Sequence, residues 1–243
     1  MHRFHFRAPE FLALLNGSGG SAIRPSQLDG LWNFDEAAST DDAQDSSGHG
    51  RHISRVNSPG VNTGKVNGAR EINGATGGYF SETSTDFPIT GVSFSFAFWG
   101  KVFNGSTTAA LSMQHQKSGG WSFIATAEIL PTNRLAVQFS NGVTSDAVQL
   151  NGVIVDGAWH FIAGGYNATS NDVWASIDGG AKSRGLGGLP SITPQSSAQL
   201  SIAGSNDGGI SENLIDQLIW LPRELTDAEI AWLYNAGAGH AIT

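Results

Sequence analysis

The run from Asn213 to Asn235 constrains this chain most. It reads Asn213-Leu-Ile-Asp216-Gln-Leu-Ile-Trp220-Leu-Pro222-Arg-Glu-Leu-Thr226-Asp-Ala-Glu229-Ile-Ala-Trp-Leu-Tyr234-Asn235. Period-two patterning predicts a strand over Asn213–Leu221, with Leu214, Leu218 and Trp220 on one face and Ile215, Ile219 and Leu221 on the other. Pro222 cannot donate to a ladder and ends the strand. Thr226 then stands at an N-cap, and Glu229 three residues on completes a capping box. Ile230 with Leu233 or Tyr234 gives the helix an apolar stripe, and Gly237 sits where a left-handed stop is needed. Asp216 is the exception, a carboxylate in an otherwise apolar strand. Burying it is costly unless it is paired or bound to a metal.

Upstream, the pattern is short strands and turns. In Val92–Lys101, Val92, Phe94, Phe96 and Phe98 alternate with Ser93, Ser95, Ala97 and Trp99. This predicts a strand whose phenylalanine face packs in the core while the face ending in Trp99 looks outward. Further strands are predicted at Ala69–Ile72, Tyr79–Glu82, Ala109–Met113, Trp121–Ala127, Arg134–Phe139, Ala147–Leu150, Trp159–Tyr166, Val173–Ile177 and Gln199–Ala203. Asp178-Gly179 is a strong hairpin signal. Many short antiparallel strands imply a two-sheet sandwich.

Composition narrows the function classes. The 243 residues suit one large all-β domain or two small ones. The net charge of -8 argues against a nucleic-acid backbone as partner. No apolar run approaches the ~18–20 residues of a membrane span. With no cysteine, disulfides and thiolate metal sites are excluded. The N-terminus lacks the ~7–15-residue apolar region of a secretory signal, so the reading expects no Sec address.

The C-terminal run resembles the end of laminin-G-like domains in the concanavalin A-like lectin/glucanase superfamily, departing at Gln217 where that family has Glu. Three more segments agree. Leu31-Trp32-Asn33-Phe34-Asp35-Glu36 with Asp45-Ser46-Ser47-Gly48 is similar to the family's opening strand and loop. Val92–Lys101 is similar to its central strand. Trp159-His160-Phe161, Tyr166-Asn167, Val173-Trp174 and Ile177-Asp178-Gly179-Gly180 are similar to its hairpin. The resemblance implies an all-β, two-sheet antiparallel jelly-roll sandwich over residues 25–243 with a short C-terminal helix. It also implies a structural Ca²⁺ at the rim, held by Asp216 first, then Asp35 and Asp45, with carbonyls near Phe34 and Gly48. Oxygen ligands at about 2.3–2.6 Å suit such a loop-built cage.

Glycosidases on this fold place two carboxylates on one strand, about 5–5.5 Å apart for retention. Glu82 with Asp86, Glu212 with Asp216, and Asp227 with Glu229 come nearest, and none has that arrangement. No catalytic residue is therefore expected. His49 and His52, and His2 and His5, lack the third ligand of a zinc site. Trp99, Trp121 and Trp174 are candidate stacking platforms for sugars; Asn16, Asn104 and Asn167 head glycosylation sequons that read as coincidence.

Residues 1–24 form an arm outside the resemblance, with Phe4, Phe6, Phe11, Leu12, Leu14 and Leu15 ahead of the linker Gly17-Ser-Gly-Gly-Ser21. Such an arm must dock on its own sandwich, on a second copy or on another protein. Laminin-G-like sandwiches recur in phage tail, fibre and capsid-decoration proteins. The resemblance thus implies a non-catalytic structural or adhesion protein of a bacteriophage virion. Its partners would be other virion proteins or itself, and its location the virion or otherwise extracellular. A lectin-like module binding cell-surface glycans is the alternative, and a hydrolase the least favoured reading.

Overall fold

A computed structural model describes residues 22–72, 79–84, 93–102, 109–117, 120–130, 134–140, 145–151, 156–188, 198–202 and 213–243. In chain order the strands are β1 (Gly30–Trp32), β2 (Arg55–Val56), β3 (Gly60–Thr63), β4 (Gly68–Ile72), β5 (Tyr79–Ser84), β6 (Phe94–Val102), β7 (Ala109–Lys117) and β8 (Gly120–Leu130). They continue as β9 (Arg134–Ser140), β10 (Ser145–Asn151), β11 (Trp159–Asn167), β12 (Asp172–Ile177), β13 (Ser183–Arg184), β14 (Ala198–Ile202) and β15 (Asn213–Leu221), and helix α1 is Asp227–Tyr234. An eight-stranded sheet runs β13-β12-β11-β6-β15-β4-β3, with β1 also paired to β15. Opposite it stand a four-stranded sheet, β10-β9-β8-β7, and a three-stranded sheet, β14-β5-β2. Every pairing is antiparallel. The jelly-roll sandwich expected from the sequence is the observed fold.

The phenylalanine face of β6 does pack between the layers. Phe94 stacks on Trp220 at 4.9 Å and meets Phe139 of the opposite sheet edge-on at 5.1 Å. Around them lie Phe34, Phe80, Leu135, Val137, Ile162, Tyr166 and Ile215. Aromatic pairs in these geometries contribute about 0.5–1.5 kcal/mol each beyond their burial.

The other face of β6 does not look outward as expected. Ala97 and Trp99 are each 1% exposed and belong to a second core on the far side of the large sheet. That core is closed by Ile23, Leu28 and Leu31 from one end of the domain and by Leu225, Ile230, Leu233 and Ile242 from the other. Trp99 packs against Phe161 at 5.3 Å and Tyr234 at 5.9 Å. The large sheet is thus covered on both faces, so all nine residues of β15 are buried. Strict alternation failed as a guide to exposure because α1 and the termini supply a third layer.

Helix α1 begins as the sequence requires. Thr226 Oγ1 accepts from Glu229 N–H, and Glu229 Oε2 accepts from Thr226 N–H at 2.8 Å. Its stop comes earlier than Gly237: Asn235, at φ +48°, is the left-handed C-cap, a position asparagine tolerates. The Asp178-Gly179 turn also forms, with φ of +50° and +69° at its two central residues and Gly180 N–H donating to Ile177 O at 2.9 Å. Gly179 is required twice over, since a Cβ there would lie 2.5 Å from the Tyr234 ring.

Candidate functional site

Asp216 lies at a break in β15. Its register partner is Trp99, but the next paired residue is Ile219 with Ala97, so Gln217 and Leu218 share one partner position. Gln217 takes φ +44°. A bulge of this kind inserts a residue and reverses the side-chain parity beyond it. Ile215, Leu218 and Trp220 consequently share the inner core, while Ile219 and Leu221 join the outer one. The parity read from sequence had put Ile215 opposite Leu218. The bulge corrects it, and Asp216, next to the inward Ile215 and opposite Trp99, points away from the inner core toward the hairpin loop between β3 and β4.

There Asp216 is fully buried. Its Oδ2 accepts the Val66 N–H at 2.6 Å, and Oδ1 has no hydrogen-bond partner. Desolvation raises the carboxyl from 3.8 to about 7, against the opposing effect of backbone N–H groups of Val66, Lys65 and Gln217 and with a further push from Asp35. Asp35 in turn accepts Gly68 N–H at 2.7 Å. The backbone turns sharply before it, at Phe34 with φ +58°. A Cβ on Gly68 would lie 3.0 Å from the Phe34 carbonyl oxygen and 2.9 Å from Asp35 Oδ1. Asp216, Asp35 and the Phe34 carbonyl thus converge on the one loop.

Asp45 does not join them. Its Oδ1 accepts Leu31 N–H at 3.1 Å and Ser47 N–H at 2.8 Å, and its Oδ2 accepts Ser47 Oγ–H and Arg51 N–H, each at 2.9 Å. Burial opposes ionisation, but these bonds outweigh it and hold the carboxyl below the usual range. Asp45 organises the Ser47–Arg51 loop and has no acceptor capacity left for an ion. Among the described residues no group of three or more Asp, Glu, His or Cys converges as a metal cage. Two carboxylates, one with an orphaned buried oxygen, fit a hard cation completed by carbonyls and water.

The tryptophan platforms are corrected. Trp99 is 1% exposed and Trp174 is 0% exposed, with Lys182 Nζ 4.8 Å over the Trp174 ring. Neither offers a face to a sugar, because both serve the outer core. Of Trp121 only its backbone place on β8 is described. The arm residues Phe4, Phe6, Phe11, Leu12 and Leu15 lie outside the described residues, as do His2, His5, Asn16, Asp86, Asn104 and Glu212. Asn167 is structural: its Oδ1 accepts Thr169 N–H at 2.8 Å and Ser170 N–H at 3.1 Å, and its Nδ2 donates to Glu224.

Sequence reading did not single out a surface that stands open among the described residues. On β9, Leu135, Val137 and Phe139 point into the inner core, so Arg134, Ala136 and Gln138 face the other way. On β10, Ser145, Ala147, Gln149 and Asn151 are exposed in alternation. Register pairs Arg134 with Asn151, Ala136 with Gln149 and Gln138 with Ala147. Arg134 donates to Gln149 Oε1 at 2.8 Å across Ala136, which is 6% exposed. The result is a shelf of planar amide and guanidinium groups over a floor of alanines. The period-two polar residues of β10 were the legible signal.

A family model described as the concanavalin A-like lectin/glucanases superfamily matches residues 73–231. No curated protein sequence matches the chain. Among solved structures, a receptor binding domain aligns with TM-score 0.69 and 14% identity, over 93% of this chain and 54% of that one. A structure of botulinum neurotoxin type C, described by its interaction with two ganglioside molecules in cell entry, aligns with TM-score 0.63 and 14% identity, over 89% of this chain and 52% of that one. The chain spans about half the length of these two. Domain 4 of AbnA, a GH43 extracellular arabinanase from Geobacillus stearothermophilus solved with arabinotriose, aligns with TM-score 0.64 and 13% identity, over 88% of this chain and 98% of that one.

Proposed function

The chain belongs to the concanavalin A-like lectin/glucanases superfamily, and on that premise we propose that it is a non-catalytic recognition module that binds glycan on the open face of its four-stranded sheet. The observation that carries this is the asymmetry of the sandwich. The outer face of the large sheet is sealed by α1 and the termini. The outer face of β10 is exposed, and beside it on β9 the half-exposed Arg134 and Gln138 flank the buried Ala136. Amides and a guanidinium supply both donors and acceptors in fixed planes, which suits the hydroxyls of a sugar chain. Two fold neighbours, a receptor binding domain and an arabinanase domain solved with arabinotriose, support the same reading. Against hydrolysis, the two glutamates at the corner before α1, Glu224 and Glu229, are engaged by their own chain. Glu229 is held by Arg223 at 2.6 and 2.8 Å, and Glu224 by Lys182 at 2.7 Å.

The test is a glycan array with the wild type and an R134A/Q149A pair. Loss of binding of at least tenfold, with an unchanged melting temperature, is expected. A hit bound equally by both proteins, or no hit on a broad array, removes the shelf.

The finer reading is an adhesion component of a bacteriophage particle, in which residues 1–24 dock on virion neighbours or on a second copy while the sandwich faces glycans outside the cell. The apolar arm on its glycine linker supports it. Deleting residues 1–22 should leave a folded monomer that fails to assemble, and unchanged oligomeric state and particle incorporation would count against it. We further propose Asp216 and Asp35 as ligands of a structural Ca²⁺. A bound ion raises the melting point by linkage, so melting that is indifferent to EDTA and to added calcium would exclude it.

A further inference from the structure

We infer that the Asp216 carboxylate and the C-terminal tail, residues 238–243, are two ends of one clasp joined through the loop 64–68. From beneath, two carboxylates hold that loop: Asp216 Oδ2 accepts Val66 N–H at 2.6 Å, and Asp35 Oδ1 accepts Gly68 N–H at 2.7 Å. The loop closes on itself through Gly64 N–H to Asn67 O at 2.8 Å. It lies so close that a Cβ on Gly64 would fall 1.9 Å from Gly68 O and 2.6 Å from Asp216 Oδ2. Any movement of the carboxylate is therefore a movement of the loop.

From above, the same loop seats the tail. Val66 packs against the outer core, and its Cγ2 is 2.6 Å from where a Cβ on Gly239 would stand. The Trp99 Nε1 is 3.2 Å from that point. Lys65 Nζ lies 5.3 Å from the centre of the Trp99 ring. Beyond α1 the tail has no strand pairing. It is held by Gly239 N–H to Tyr234 O at 3.1 Å, Asn235 Nδ2–H to Gly239 O at 2.9 Å, the His240 ring stacked 4.3 Å from Trp232, and Ile242 buried in the outer core. His240 Nδ1 also bonds to Trp232 O at 2.6 Å and Ala238 N–H donates to Asn235 O at 2.9 Å; with no ladder, these bonds and Ile242 are what protect the tail from opening. Val66 and Gly239 are the joint between this unladdered segment and the buried carboxylate. Whatever engages Asp216 at the rim is consequently felt at the C-terminus. By linkage, lifting the tail loosens the loop in return.

Hydrogen exchange tests the coupling in both directions. In D216A, amides of residues 236–243 should exchange roughly ten- to hundredfold faster, the factor for losing one hydrogen bond to a charged group, with β9 and β10 at wild-type rates. In a chain ending at residue 237, the Lys65 and Val66 amides should speed up likewise. A folded D216A whose loop exchanges faster while its tail keeps wild-type protection overturns the clasp. If D216A does not fold, V66G decides: it keeps the carboxylate and removes only the plug, so a tail that stays protected in V66G overturns the inference and a tail released supports it.

Discussion

The sharpest consequence concerns charge at Asp216 in protein freed of divalent cations. Burial lifts this carboxyl from 3.8 to about 7. Between those values the folded state holds a proton that the unfolded chain has released, so stability falls as pH rises through the interval. At about 1.4 kcal/mol per unit, the penalty reaches about 4 kcal/mol above pH 7 and vanishes below the unfolded value. Asp216→Asn removes the charge and keeps an oxygen for Val66 N–H, but it leaves an unpartnered amide costing about 1–3 kcal/mol. At pH 8 in EDTA the variant should be more stable than the wild type by about 1–3 kcal/mol, and at pH 5 the advantage should shrink or reverse. Urea denaturation of both proteins at the two pH values reads this directly, because other titrating groups cancel in the difference. Calcium at pH 8 should rescue the wild type and leave the variant unmoved. Parallel pH dependences for the two proteins would refute the reasoning.

Other consequences are as direct. His160 sits between Asp178 Oδ2 at 2.8 Å and Asp156 Oδ1 at 3.1 Å, and its pKa is raised, by the Asp178 bond first. Its contribution is present at low pH and lost as pH rises through the raised value. After discounting for solvent screening, H160Q should lose under about 1 kcal/mol at pH 6 and nothing at pH 9, as followed by denaturant titration. Glu229→Ala removes both the capping box and the Arg223 pair, and should cost about 1–2 kcal/mol, a fall of roughly 2–8 °C in a thermal melt. Phe96→Ala empties a site that is 1% exposed between the sheets and should cost about 3–5 kcal/mol; a loss under 1 kcal/mol in urea would mean the two layers do not pack as described.

What the sequence disclosed and what it withheld divide along one physical line. Features set by local chemistry were legible. The Thr226–Glu229 box needs only four residues, and the Asp178-Gly179 turn only two with positive φ. The phenylalanine face of β6 declared itself by period alone. Features set by what arrives from far along the chain were not legible. Trp99 and Trp174 look like surface tryptophans on an alternating strand, yet α1 and Ile23, about 200 residues apart in sequence, meet over them. Asp45 matched a ligand position, but its four donors come from Leu31, Ser47 and Arg51, and no motif counts how many donors will converge.

Asp216 falls between these cases, and its position shows why a site departs from pattern. Next to the inward Ile215 and opposite the outward Trp99, it faces away from the aromatic inner core, toward the loop of Gly64 and Val66. One extra residue at Gln217 then returns Leu218 and Trp220 to that core, at the cost of a left-handed φ of +44°. Backbone strain of that kind persists only where surrounding structure fixes it. Here the surroundings are the pairing of β15 with β6 on both sides of the bulge. The sequence showed an anomaly, a charge in an apolar strand, and the anomaly was the true signal. Its direction could not be read, because a bulge changes parity without needing a glycine or proline to announce it. The carboxylate is therefore held at the rim by the strength of the central ladder, which is also why its loop and the tail above it must move together.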